Sequence, residues 1–318
     1  MNDNPKSFTA LETAILKTLA YFDIFDYPLT LVEIHKWLYR PPSACSIWTV
    51  SQALLGENLK GLAESNNGFY FLAGRREIIA TRLDRYRPAE KKFRIARKAA
   101  WWLRRLPFLK MIAVCNNAGY NNAAPSSDID FFIIIRQGRL YLTRLLVTLA
   151  VSLLGRRRHG KKIADRVCLS FYIADRHLNL ADIALKPEDI YLVYWFATLA
   201  PIYDQGAYQE FLAANAWLKD YLPNFYPAAL TGRRKIEDDF LIKFGRNFKE
   251  KILAGIFGDG LERLAKLLQL NKMKKHPSFA GNDFKVVISD SRLKFHENDR
   301  RREYLAAWEE RLGRLGIS

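Results

Sequence analysis

The 318-residue chain carries 50 Lys and Arg against 33 Asp and Glu, a net charge of +17. Its content of 49% hydrophobic and 13% aromatic residues excludes a disordered polyelectrolyte and is ample for two or three packed units. Cys45, Cys115 and Cys168 lack CxxC spacing, which argues against a zinc cage or a disulfide framework and fits a reducing cytoplasm.

The first residues show no basic segment followed by an apolar run, so they do not read as a signal peptide. Thr9-Ala-Leu-Glu12 and Thr30-Leu-Val-Glu33 are capping boxes, each opening an apolar run of helical period, and predict two helices. Pro41-Pro42 ends the second. A third amphipathic stretch covers 46–59, and Glu64-Ser-Asn-Asn-Gly68 turns the chain into the strand Phe69–Leu72. Three helices and a hairpin read as a winged-helix-like domain over 1–74. Its third helix carries one lysine and no arginine, which favours docking over reading DNA.

Residues 75–109 read as a basic connecting helix. Its cations are opposed locally by Glu77, Asp84 and Glu90 alone, and a second cluster over 156–166 is opposed by Asp165. Such one-sided blocks at 75–110 and 156–166 point to RNA or another polyanion as partner. The apolar stretches 145–155 and 190–203 fall short of the roughly 20 residues that span a bilayer, so both are expected to be buried helices.

The chemistry is concentrated at 111–135. Met111–Cys115 reads as a strand, 116–127 as a polar loop, and Asp128-Ile-Asp-Phe-Phe-Ile-Ile-Ile135 as a second strand. Side chains two apart on a strand share a face, so Asp128 and Asp130 project together. Two adjacent carboxylates repel one another unless a cation lies between them. Mg²⁺, which takes a few carboxylates together with substrate phosphates, is the expected metal, and a nucleoside triphosphate the expected substrate.

Asn116-Asn117, the ten residues 118–127 ending in Ser127, and Asp128-Ile-Asp130 running into an apolar strand resemble the signature of the DNA polymerase β-like nucleotidyltransferase superfamily, especially its minimal bacterial-type members. The resemblance covers roughly 110–172 and implies metal binding by Asp128 and Asp130. It implies phosphate contact at Asn116, Asn117 and Ser127, with a nucleotidyltransferase palm over 110–185. The chain departs from the pattern where Asn116 and Asn117 replace Gly-Ser. The family's third carboxylate is also not evident. On the strand Arg166–Ala174, alternation sets Val167, Leu169, Phe171 and Ile173 on one face and Cys168, Ser170 and Tyr172 on the other. Ser170 then stands where an acid is wanted, with Asp175 just past the strand as a substitute if a bulge re-aims it.

The remaining 186–318 reads as helical, with runs over 188–203, 208–221 and 238–270. Asn215, Trp217 and Lys219 are candidates for contact with a base or phosphate, Trp217 more simply as core. A strand over Phe284–Ile288 and a segment ending at His296 precede a charged helix from 298 to 315. His296 has no Cys or His at ligand spacing. The sum is an α+β protein. Two functions stay open: metal-dependent transfer of a nucleoside monophosphate to an acceptor, or a catalytically weak relative that binds RNA or another polyanion.

Overall fold

Both capping boxes form in the structure, a computed structural model that describes residues 7–227, 229–274, 286–295 and 299–317. The Thr9 and Thr30 side chains accept the backbone N–H three residues on, and Glu12 and Glu33 accept the N–H of their caps in return. They open α1 (Ala10–Asp23) and, directly after the two-residue strand β1 (Leu29–Thr30), α2 (Leu31–Lys36). Ser46 caps α3 (Ile47–Leu55). The hairpin β2 (Ala63–Asn66) and β3 (Phe69–Leu72) turns through Asn67-Gly68, both at positive φ as a tight two-residue loop requires. These strands form an antiparallel sheet of order β1-β3-β2.

The basic run becomes the 26-residue α4 (Ile78–Leu103). It is followed by β4 (Leu109–Val114), α5 (Asn116–Gly119), β5 (Ile129–Ile135), α6 (Leu140–Leu153) and β6 (Val167–Ala174). Next come α7 (Ile190–Ala197), β7 (Ala200–Asp204), α8 (Ala207–Ala214), α9 (Leu218–Tyr221), α10 (Phe240–Ile252) and α11 (Ile256–Lys274). The described chain closes with β8 (Val286–Ile288), β9 (Arg292–Phe295) and α12 (Arg301–Arg314). The larger sheet has order β7-β4-β5-β6-β9-β8. Within it β5 and β6 run parallel and the other neighbours antiparallel. The protein is thus α+β with two sheets.

The two faces of the larger sheet are covered differently. On one, Met111, Phe132 and Phe171 pack in a single cluster with α1, α2, α7 and α12. Tyr194 donates to the Trp37 carbonyl at 2.9 Å and Trp308 Nε1 to that of Lys17 at 2.9 Å, so residues 7–74 share this core with the rest of the chain. On the other face, Ile112, Phe131, Ile133 and Tyr172 pack against α4, α6 and α11.

Several expectations are corrected. The helix expected over 190–203 ends at Ala197, and 200–204 become the edge strand β7. Pro201 cannot donate to a ladder and is accommodated at an edge. The run 208–221 splits because Asn215 turns its amide onto the 178–180 loop, accepting from Leu180 N at 2.8 Å and donating to the Leu178 carbonyl at 2.8 Å. Helix α6 is not buried all round: Leu145, Leu149 and Leu153 are exposed. The basic run is partly internal, since Arg82 holds Glu33 with two hydrogen bonds of 2.7 and 2.9 Å, Arg85 donates to the Phe25 carbonyl, and Lys92 is buried. Phe284, Lys285 and His296 lie outside the described residues.

Candidate functional site

Asp128 immediately precedes β5 and Asp130 lies within it, with Ile129 buried toward the opposite face. Beside them, Asp130 is in register with Cys168 of β6. Carboxylate oxygens of Asp128 and Asp130 and the Cys168 sulfur all lie within 4.8 Å of one another. The entry to β5 is fixed from below by Lys92. Its ammonium donates to the Ser127 carbonyl at 2.7 Å, the Pro125 carbonyl at 3.3 Å and Asp165 at 2.9 Å. Asp165 returns a backbone N–H to the Ser127 carbonyl at 3.1 Å. The Ser127 hydroxyl donates to the Ala124 carbonyl at 2.9 Å, so it supports this turn.

Each aspartate already has a partner. Arg158 Nη1 donates to Asp128 Oδ2 at 2.6 Å, and Asn116 Nδ2 donates to Asp130 Oδ2 at 2.7 Å. Asn116 sits at φ +56°, a left-handed conformation that Asn tolerates, and Tyr191 donates to its amide oxygen at 3.0 Å. Asn117 is exposed and accepts from the Tyr120 hydroxyl at 2.7 Å. The close turn of α5 requires Gly119, where a Cβ would collide with the Thr198 carbonyl. The structure therefore brings Asn116 to the aspartates and leaves Asn117 and Ser127 on the flanking turns.

Burial, and then the neighbouring charge of Asp128, push the Asp130 carboxyl up to about 6, partly offset by Asn116, Cys168 and Arg158. Burial and Asp130 push the Cys168 thiol up to about 12, so it stays protonated at neutral pH. The donor set therefore fits a hard divalent cation. Two carboxylates that repel each other suit Mg²⁺ with water and phosphate completing its shell, and a protonated thiol is no ligand for it. Arg158 is the cation at one of these carboxylates.

The expected alternation of β6 fails. Opposite Asp130 and Phe132 stand Cys168 and Phe171, so β6 carries an extra residue between them. Val167 and Leu169 pack with α4 and α6, whereas Phe171 and Ile173 pack with α7. The register before that bulge sets Cys168, not Ser170, beside Asp130. Asp175 follows the far end of β6, where it accepts from Gln137 N at 2.9 Å, and it cannot reach them. Asn215 and Trp217 are likewise structural, Trp217 donating to Asn215 at 3.0 Å and packing against Phe196.

Asn116 also lines a cavity of about 210 Å³ between α7, β9 and α12. Phe171, Leu192 and Trp195 form its apolar side, and Lys294, Arg300 and Arg301 bring cations to it. Asp299 balances them: although burial raises its carboxyl, Arg301 and Lys294 hold it down to about 2. Burial and Arg301 push the Lys294 ammonium down. Sequence reasoning missed Lys92, Arg158, Tyr191 and this wall. The one legible signal was Lys92, a lysine in the row of Ala89, Ala96 and Ala99 that α4 buries. No protein-family model, curated protein or solved structure matches this chain.

Proposed function

We propose that the protein is a nucleotidyltransferase: a winged-helix module over 1–74 precedes a transferase palm over 110–185, whose reaction centre is the Asp128–Asp130 pair. The observation that supports this most is the clustering of two carboxylates at the entry of β5, one of them pushed up to about 6 by burial and its neighbour. Asp128 and Asp130 would hold Mg²⁺. When bound, the ion neutralises phosphate charge and polarises the phosphoryl oxygens. Asn116 orients Asp130 through its amide N–H and is itself held by Tyr191. In the reaction an acceptor oxygen attacks the α-phosphorus of a nucleoside triphosphate, and the bond to pyrophosphate breaks. The 210 Å³ cavity beside Asn116, apolar on one side and cationic on the other, suits the base or the acceptor.

A second reading is favoured by Arg158 on Asp128 and by Cys168 at the third position: a protein that keeps the fold, turns over slowly or not at all, and binds an anionic partner. An open groove lined by Lys91, Arg94, Lys98 and Arg156 joins the two basic segments and is its natural seat. The purified protein, incubated with Mg²⁺ and each α-labelled nucleoside triphosphate beside cellular RNA and protein, distinguishes the two. Transfer of label that Asp130→Asn abolishes supports the transferase. Binding of a triphosphate without transfer supports the second reading.

A further inference from the structure

Helix α10 is amphipathic in the reverse sense. Its inner face is polar: Arg246 is buried, donating to the Tyr203 hydroxyl at 2.6 Å and to Asp238, and Glu250 accepts from Phe108 N at 2.8 Å. Its outer face carries Phe240, Leu241, Phe244, Phe248 and Ile252, each more than half exposed. Immediately after it, Ile256 and Phe257 are 91% and 64% exposed. Gly258 fixes the corner between α10 and α11, because a Cβ there would collide with the Leu253 carbonyl.

The same side of the molecule continues the pattern. Helices α4, α6 and α11 all cover one sheet face, so their outer surfaces look the same way. Each leaves large apolar side chains exposed: Trp101 and Trp102 on α4, Leu149 and Leu153 on α6, Leu267 and Leu268 on α11. Trp101 adjoins α10 through Arg105, whose guanidinium stacks on its ring at 3.8 Å and whose carbonyl accepts from Lys249 at 3.3 Å.

Cations outnumber acids along α10 and α11, with Glu237 and Asp239 at the start of α10. From 240 to 274 the acids are Glu250, Asp259 and Glu262. All three are engaged, Asp259 by Arg139 at 2.7 Å and Glu262 by the N–H groups of Tyr141 and Leu142. The cations Lys243, Lys251, Arg263 and Lys272 are exposed. A second copy of this chain would oppose cation to cation across such a face. A nucleic acid would meet the charge and leave the aromatic and aliphatic side chains in water. An anionic bilayer supplies both complements, an acyl boundary for Phe, Trp and Leu and phosphate headgroups for Lys and Arg.

We propose that the α4–α6–α10–α11 side of the protein docks on the surface of a membrane rich in anionic phospholipid, with α10 lying in the interface. No helix among the described residues is long and apolar enough to cross a membrane.

Co-sedimentation of the full chain with vesicles tests this, comparing phosphatidylcholine containing about 30 mol% phosphatidylglycerol with phosphatidylcholine alone at about 0.15 M salt. The anionic vesicles are expected to bind at least about tenfold more tightly. Phe244→Glu with Phe248→Glu is expected to weaken this binding about tenfold while circular dichroism stays unchanged, and Lys243→Glu with Lys251→Glu to weaken it and flatten its salt dependence. Equal binding to both vesicles, no binding, or retention by both double variants overturns the proposal. So does a dimer in light scattering that the phenylalanine variant converts to monomer. Binding to a labelled RNA without binding to vesicles overturns it as well, and assigns the cations to nucleic acid.

Discussion

Arg158 Nη1 lies 2.6 Å from Asp128 Oδ2, so an exposed arginine holds a carboxylate that faces Asp130 and the Cys168 thiol. On the proposed function, a divalent cation would compete with the guanidinium for the same oxygen. Arg158→Ala should therefore raise Mg²⁺ affinity about threefold to fivefold, the scale of a partly exposed ion pair. Calorimetric titration of Mg²⁺ without nucleotide measures it. Unchanged affinity would mean that the metal does not use Asp128.

The neighbouring Asp130 predicts a pH dependence of opposite sign to that of an ordinary salt-bridged acid. Its folded-state value of about 6 exceeds the usual 3.8, so between them the native state holds a proton that the unfolded chain has released. The ionised group therefore costs stability above pH 6, and the cost fades as pH falls through 6 toward 4. In metal-free protein Asp130→Asn should melt higher than wild type at pH 8, with the gap closing by pH 5. A gap that does not vary with pH would refute this.

Cys168, in register with Asp130, is the β6 position from which a third carboxylate could reach the cluster. Cys168→Asp is expected to increase any slow nucleotide transfer about tenfold or more, because general-base assistance typically contributes on that scale or above. Ser170→Asp, within the bulge, should not, and should destabilise the fold by burying a charge. Equal gains from both would mean that β6 takes another register against β5 in the active protein.

Lys92 reaches from α4 to the turn before Asp128 without contacting either aspartate of the pair. Lys92→Met should cost about 2 kcal/mol in chemical denaturation, since it strips the Pro125 and Ser127 carbonyls of a charged donor. Asp165 keeps Lys91 at 2.5 Å, which limits the loss. Mg²⁺ affinity should fall as well, because the turn that aims Asp128 loosens. A stability loss with unchanged affinity would confine Lys92 to the fold.

The sequence carried the local rules well. Thr9, Thr30 and the Asn67-Gly68 turn act through neighbours three or fewer residues away, so their structures could be read directly. The Asp128–Asp130 face followed from strand period alone. What could not be read depended on pairing. The register of β6 against β5 sets Cys168 rather than Ser170 beside Asp130, and the extra residue that follows turns Phe171 toward α7; alternation marks neither. Arg158 and Tyr191 arrive from 30 and 75 positions away in sequence, Arg158 onto Asp128 and Tyr191 onto Asn116. The outward phenylalanines of α10 kept a helical period, and period identifies an apolar face without saying whether the protein itself covers it.

On the proposed function, Asp128 and Asp130 together hold a metal that binds a nucleoside triphosphate. Calorimetric titration of a nucleoside triphosphate at millimolar Mg²⁺ into wild type, Asp128→Asn and Asp130→Asn, with thermal melts of the three metal-free proteins alongside, tests it most directly. Wild type is expected to bind saturably and with Mg²⁺ dependence, each variant at least about tenfold more weakly, with folding retained and the Asp130→Asn melt no lower than wild type. Absence of binding to wild type, or binding that both variants keep at full strength, would contradict it.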